Sequence, residues 1–232
     1  MTGLHIIAGL TIIPLIICSF YVHSRVKRLF QEYSGKPVKR GMTGRHIARA
    51  MLDSAGLQGV VVEEMNADLL DHYDPRQKVV RLSRNVSRKA SIAAVGIAAH
   101  EAAHAIQDGT GYPPIKLRNR IAPFVKGGGY LILPLLFLGL LLSSMAQSSF
   151  LIDLALLLLF VTVLFYLVTL PVELEASSRA MRYIEDSGIS DDQELDGVRK
   201  VLRAAALTYL VAAALAITQF LRVLGIYRRN ER

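Results

Sequence analysis

Long apolar runs constrain this chain more than any other feature of its sequence. Nearly every side chain is apolar in four stretches, at residues 6–22, 130–142, 154–172 and 204–220. Uncharged apolar runs of about 18 residues or more indicate helices that cross a membrane. The pattern therefore predicts a mainly α membrane protein, with about four membrane-associated helices and a modest polar domain.

Basic residues accompany these runs. The 27 Lys and Arg outnumber the 19 Asp and Glu and give a formal net charge of +8. Many of them flank apolar runs and would face anionic lipid headgroups, so the charge does not indicate a nucleic-acid partner. The first run lacks an obvious small-residue cleavage site and is followed by a basic cluster. We therefore expect a retained anchor with a cytoplasmic C-terminal flank and an outside N-terminus. The cluster comprises Arg25, Lys27, Arg28, Lys36, Lys39, Arg40 and Arg45.

The polar region contains one motif that points to chemistry, His100-Glu101-Ala102-Ala103-His104. On a helix, the two histidines lie about 40° apart around the axis and Glu101 lies roughly 100° from His100, so all three share one arc. Their neighbours are apolar and mostly small, and burying such polar groups there is costly unless something satisfies them. The alternative is two ordinary helix histidines with Glu101 in a surface ion pair.

A zinc ion would satisfy this cluster. Zinc takes neutral imidazole nitrogens as ligands and keeps one position open for water in catalytic sites. A carboxylate beside the first ligand can take a proton from that water, as in metalloproteases that carry this spacing. The only cysteine is Cys18, inside the first apolar run, so neither an intrachain disulfide nor a cysteine-based zinc site is possible.

The helix that carries the motif has candidate residues at both ends. Ser87 or Ser91 can cap its N-terminus, and it is expected to end near Asp108, before a pair of glycines. Asp108 lies four residues beyond His104, so it could accept a hydrogen bond from a ligand imidazole and fix its tautomer. It could equally be a capping or surface residue.

A third ligand is expected from the end of the third apolar run. A short uncharged link at residues 146–149 would return the chain across the membrane and deliver Glu173 to the side of the histidine helix. Two histidines and a glutamate form a known catalytic zinc set. Glu175 is a rival, but on a helix it points about 160° away from Glu173, so only one can face the site. Either could instead pair with Arg179 or Arg182, and Ser177, one turn past Glu173, could support it.

Two β-branched runs, at residues 60–62 and 78–82, predict a small sheet. The second run alternates, with Val80 and Leu82 on one face. An exposed edge at 78–82 could pair with an extended substrate peptide by β-augmentation, and a simple two-stranded packing element is an equal alternative. His72 is predicted as a turn residue.

The C-terminal part is predicted to be an acidic loop at 185–196 followed by a long helix at 198–224. If this helix spans the membrane, the basic tail lies outside, although Lys and Arg usually flank membrane helices on the cytoplasmic side. A helix that lies along the membrane interface would avoid this conflict. We favour a helix that spans the membrane, because the first membrane helices usually determine the orientation of the whole chain. Tyr209 in this helix is a candidate donor to a developing oxyanion, or is simply packed.

The chain resembles the YugP-type neutral zinc metallopeptidases, which are membrane proteins of bacteria. The family is similar in plan to the HtpX and CAAX prenyl protease group, in which two spans also separate the zinc-binding helix from a third-ligand glutamate. In that group the glutamate begins a Glu-x-x-Ala-Asp pattern; here Glu173 and Ala176 match, and Ser177 stands where the aspartate would be. The resemblance covers nearly the whole chain and rests on segments 71–75 with 80–83, 100–108, 170–173 with 176–177, and 205–209.

The resemblance implies a zinc peptidase. His100, His104 and Glu173 would hold one Zn²⁺ per chain, Glu101 would be the general base, and the polar region would be a small α+β, zincin-like (gluzincin) catalytic domain. The expected partners are the lipid bilayer and peptide or protein substrates, including membrane or misfolded proteins, with the site facing the cytoplasm from the bacterial inner membrane. The oligomeric state stays open. The alternative functions are a non-catalytic, zinc-stabilised membrane scaffold or regulator and, more weakly, a lipid-surface binding module.

These expectations divide the chain into five segments. They are an N-terminal anchor at 1–24, a cytoplasmic domain with the sheet and zinc-binding helix at 25–126, a transmembrane hairpin at 127–172, a third-ligand helix and acidic loop at 173–202, and an apolar helix with a basic tail at 203–232.

Overall fold

The computed structural model describes residues 3–66, 70–146 and 150–230, so the predicted link at 146–149 lies outside the described residues apart from Ala146. Within these ranges the chain is mainly helical and has one small sheet, as predicted. The elements in chain order are α1 (Gly3–Ser34), α2 (Gly44–Ser54), β1 (Val61–Met65), β2 (His72–Asp74), β3 (Val79–Ser83), α3 (Arg84–Arg88), α4 (Ile92–Gly109), α5 (Pro113–Ala146), α6 (Phe150–Asp186) and α7 (Asp192–Asn230).

The chain divides into two compact units. The first consists of the residues up to Tyr21, Leu117–Leu170 and the residues from Thr208 onward; the second consists of Val22–Lys116 and Pro171–Leu207. Four helices of the described chain, α1, α5, α6 and α7, are long and apolar enough to cross a membrane, which confirms the number predicted from the apolar runs.

In the first unit, the helices expose many large apolar side chains. Phe20, Leu133 and Phe137 are each about 70% exposed. A soluble protein rarely leaves so much apolar surface in water, but lipid-facing helices present such a surface. Small residues bring α5 and α6 together here, because a Cβ added at Gly139 would lie only 2.7 Å from the side chain of Ile152.

The acidic segment before α7 is a helix start and only in part the loop predicted at 185–196. The N–H of Asp191 donates to Glu194 Oε2 at 3.0 Å, and the N–H of Glu194 donates to Asp191 Oδ1 at 2.9 Å. Such reciprocal bonds satisfy backbone donors that a helix N-terminus leaves open. Because of them, α7 begins at Asp192 instead of near residue 198.

The sheet has three strands in the order β1-β3-β2. β1 is parallel to β3, with Val61 opposite Val79, and β2 is antiparallel to β3, with Tyr73 opposite Val80. The exposed edge predicted at 78–82 is therefore wrong, because β3 is the central strand. His72, predicted as a turn residue, instead begins β2, and this additional strand covers the second edge of β3.

α4 forms much of the core of the second unit. Fourteen of its residues are buried, and half of these are alanines. Small side chains let α2 approach closely, so that a Cβ added at Gly44 would lie 2.9 Å from the carbonyl oxygen of Ala94. Of the two predicted capping residues, Ser91 caps the helix by accepting the N–H of Ala94 at 3.3 Å. The helix ends at Gly109, one residue beyond the predicted end.

Candidate metal centre

The second unit brings three predicted ligands together on α4 and α6. Nε2 of His100 lies 3.1 Å from Glu173 Oε2, and Nε2 of His104 lies 3.5 Å from the same oxygen. One potential ligand atom from each residue falls within 4.8 Å of the other two. The i, i+4 spacing on α4 places the two rings 4.7 Å apart between centroids. Both imidazoles therefore direct a nitrogen at one carboxylate.

This cluster fits a zinc ion. In tetrahedral coordination, metal–ligand bonds of about 2.0–2.1 Å place neighbouring ligand atoms about 3.3 Å apart. The two distances from Glu173 Oε2, 3.1 and 3.5 Å, lie on either side of that value. Glu173 is only 2% exposed. A carboxylate buried that deeply needs a compensating positive charge, and the donor set of two imidazoles and one carboxylate is one that catalytic zinc takes.

The outer nitrogen of each imidazole also has a partner. Nδ1 of His104 lies 2.9 Å from Gln107 Oε1, and Nδ1 of His100 lies 3.2 Å from Ser177 Oγ. Hydrogen bonds of this kind orient metal-binding imidazoles and fix which nitrogen is available to the metal. Ser177 was considered from the sequence as support for Glu173; the structure places its hydroxyl beside His100.

Asp108, which the helix spacing offered either as an acceptor for a ligand imidazole or as a capping or surface residue, bonds groups other than His104. Oδ2 of Asp108 accepts the Tyr73 hydroxyl at 2.9 Å and the Lys78 ammonium at 2.7 Å. Gln107, one position earlier, reaches His104 instead. Side chains on a helix tilt toward its N-terminus, and the longer glutamine side chain reaches back to the ring, whereas Asp108 is drawn to the β2–β3 hairpin.

The glutamate of the motif is held by β2. Glu101 is 9% exposed, and its Oε2 accepts the N–H of Tyr73 at 3.1 Å. Because the Tyr73 hydroxyl also bonds Asp108, β2 is attached to α4 at two points. Burial, and then the hydrogen bond to Asp108, raise the pKa of Tyr73 well above its ordinary value, so its hydroxyl stays a donor.

The structure distinguishes the two candidate ligand glutamates of α6, Glu173 and Glu175. Glu173 faces the imidazoles, whereas Glu175 accepts the Arg179 Nε at 3.0 Å and the Gln107 Nε2 at 2.6 Å. Sequence reasoning missed Gln107 and Tyr73. Gln107 did carry a signal, since it is a polar residue one turn after His104 on a helix of buried alanines. Tyr209, the candidate oxyanion donor, belongs to the first unit, and its role stays a prediction.

Comparisons with known proteins place the chain in a family of zinc metallopeptidases. A family model described as "Putative neutral zinc metallopeptidase" matches residues 8–228. The protein called "Putative membrane protease YugP" from Bacillus subtilis (strain 168) is 43% identical over 209 residues, which cover 90% of this chain and 91% of that protein. The resemblance stated from the sequence is thus confirmed. No solved structure gives a significant match.

Proposed function

We propose that this chain, which belongs to the family of neutral zinc metallopeptidases, is a membrane-embedded, zinc-dependent endopeptidase. The observation that carries the proposal is the approach of two imidazole nitrogens to one buried carboxylate oxygen, with Glu101 directly after the first imidazole. Two histidines and a glutamate on separate helices, beside a small sheet, also support a gluzincin-like catalytic domain.

His100, His104 and Glu173 would hold one Zn²⁺ per chain. When bound, the ion supplies positive charge that polarises a peptide carbonyl and makes a water molecule acidic enough to react near neutral pH. Gln107 and Ser177 keep the two rings in the orientation that this donor set requires.

Glu101 is the general base in this proposal. Its carboxylate takes a proton from the attacking water and later gives it to the leaving amine. The Tyr73 N–H donates to Oε2 of Glu101, which restrains the carboxylate before substrate arrives. The β2–β3 hairpin thus positions the base, and Asp108 holds the hairpin.

A substrate peptide would not add a strand along β3, and β2 offers it few free backbone donors. β3 is paired on both sides, and on the outer edge of β2 the Tyr73 N–H already bonds Glu101. Pro75, the next residue facing that edge, has no N–H to offer. Among the three ligands, the His100 side chain is the most exposed, at 14% against 8% for His104 and 2% for Glu173. A peptide would therefore approach from the side of His100.

The apolar helices and their flanks support a location for the protein. Four helices suited to a bilayer support a membrane protein, and the name of the relative agrees. The basic cluster after the first apolar run supports a site that faces the cytoplasm of a bacterium, from its inner membrane. Substrates there would be peptides, membrane proteins or misfolded proteins.

The variant Glu101→Gln tests the function. It should keep the fold and the zinc while cleavage of casein falls by about 10²–10⁴-fold, the usual contribution of a general base. The matched control is Glu185→Gln, at an exposed position near the end of α6, which should cleave as fast as the wild type. Unchanged cleavage by folded, zinc-loaded Glu101→Gln would remove Glu101 from the mechanism.

A further inference from the structure

Gln107 is a fully buried polar residue whose amide meets three groups. Oε1 lies 2.9 Å from His104 Nδ1, while Nε2 lies 2.9 Å from the Val172 carbonyl oxygen and 2.6 Å from Glu175 Oε2. One amide therefore joins a candidate zinc ligand on α4 to the backbone and a side chain of α6.

The surroundings allow this amide one orientation. A backbone carbonyl oxygen such as that of Val172 can only accept a hydrogen bond, and the Glu175 carboxylate already accepts the N–H of Arg179 at 3.0 Å. Both acceptors require the NH₂ group of Gln107. A flipped amide would set its oxygen against two other oxygens and lose both bonds, so the amide oxygen must face His104.

We infer that Gln107 is a positioning residue, which holds the His104 ring in the tautomer with its proton on Nδ1. An amide oxygen accepts and cannot donate, so Nδ1 must carry the hydrogen. The lone pair of the neutral ring then lies on Nε2, 3.5 Å from Glu173 Oε2, where a zinc ligand is needed. The inference rests on the proposed function, because it concerns the same metal site.

Ser177 has a different effect on His100. Its hydroxyl lies 3.2 Å from Nδ1 and can either donate or accept, so it orients the ring without selecting a tautomer. Without an obligatory acceptor, the His104 ring could instead place its proton on Nε2 and donate to Glu173. That bond would have to break before zinc could bind. Gln107 therefore prepares His104 for the metal and couples it to α6 through Glu175.

Zinc affinity is the first measurement. The variant Gln107→Met keeps the length of the side chain and loses the acceptor, and its dissociation constant for zinc in detergent should rise by about 10–100-fold against a competing chelator. The control is Gln31→Met, at an exposed position of α1, which should bind zinc as the wild type does. Thermal unfolding of the metal-free variants shows whether each one is folded.

The tautomer is the second measurement, and a merely structural link between helices would not change it. Nitrogen NMR of ¹⁵N-histidine-labelled, metal-free protein at about pH 9, where ordinary imidazoles are neutral, reports which nitrogen carries the proton. His104 should carry it on Nδ1 in the wild type and in the control Gln31→Met. Gln107→Met should show the Nε2–H form.

The outcomes separate this inference from the proposed function. If the folded Gln107→Met variant binds zinc as tightly as the wild type, or if wild-type His104 carries its proton on Nε2, the inference is overturned even in an active peptidase. If the wild type shows the Nδ1–H ring and the affinity loss on substitution but cleaves no substrate, the inference stands and the peptidase function fails.

Discussion

Replacing Asp108 by alanine should loosen the β2–β3 hairpin from α4 and leave zinc binding intact. In the structure this carboxylate bonds Tyr73 and Lys78 and not the candidate ligand His104. The variant therefore separates two roles for one residue. Helix spacing suggests that Asp108 supports the metal site. Its contacts indicate instead that Asp108 attaches the hairpin to α4.

The magnitude follows from the two bonds. A hydrogen bond between a partly buried hydroxyl and a charged acceptor contributes about 1.5–3 kcal/mol. The Lys78 side chain is 55% exposed, so its ion pair with Asp108 adds less than about 1 kcal/mol. A loss of about 3 kcal/mol would raise the opening equilibrium of the hairpin by roughly a hundredfold, since 1.4 kcal/mol corresponds to a factor of ten.

Amide hydrogen exchange of the segment at residues 70–78 measures this opening. Asp108→Ala should accelerate exchange there, and Tyr73→Phe, which removes only the hydroxyl, should give most of the same effect. Cleavage should fall in both variants because the Tyr73 N–H no longer holds Glu101 firmly. Two results would refute the reasoning. One is unchanged exchange in Asp108→Ala; the other is a loss of zinc as large as that expected for Gln107→Met.

Two smaller predictions concern stability. Because the pKa of Tyr73 is raised by burial and by Asp108, its protonated form stabilises the folded protein below about pH 10, the ordinary value, and this contribution is lost as the pH rises toward the raised value. Unfolding experiments at alkaline pH should show a shallower loss of stability in Tyr73→Phe, and an identical slope would contradict the assignment. Ser91→Ala should cost about 1 kcal/mol of unfolding free energy and Ser91→Gly only a few tenths, as at other helix N-caps; equal losses in thermal unfolding would count against the cap.

Local periodicity was sufficient to predict the parts of the site that lie on one helix. The spacing of His100 and His104 placed both rings on one face of α4, and the structure has them there. Ser91, one of the two serines predicted as N-terminal caps, caps the helix, and the four apolar runs predicted four helices suited to a membrane. Each of these features depends on residues a few positions apart.

The choice between Gln107 and Asp108 could not be made this way. Both lie about one turn from His104, at roughly 60° and 40° on opposite sides of it around the helix axis, so the helical wheel does not decide between them. The choice depends on Tyr73 and Lys78, which come from another part of the chain and attract the carboxylate. β2 was missed for the same reason, since its three residues show no apolar alternation and are fixed by contacts with α4 and β3.

The choice between Glu173 and Glu175 had a partial signal in the sequence. The buried stripe of α6 in the second unit includes Glu173, Ala176, Ala180 and Ile184, which recur at helical spacing. Glu173 lies on this stripe and Glu175 lies beside it. Reading the stripe requires knowing which side of α6 is buried, and that depends on packing between elements distant in the sequence.

The zinc content of the purified protein tests the central claim most directly. Wild type, Glu173→Ala and Glu175→Ala would be purified in detergent, checked for folding by thermal unfolding, and analysed for metal by mass spectrometry. We expect one zinc per chain in the wild type, none in Glu173→Ala, and retained but weaker binding in Glu175→Ala, whose carboxylate supports Gln107 and not the metal. A folded Glu173→Ala protein that keeps its zinc, or a wild type that binds none, would contradict the account.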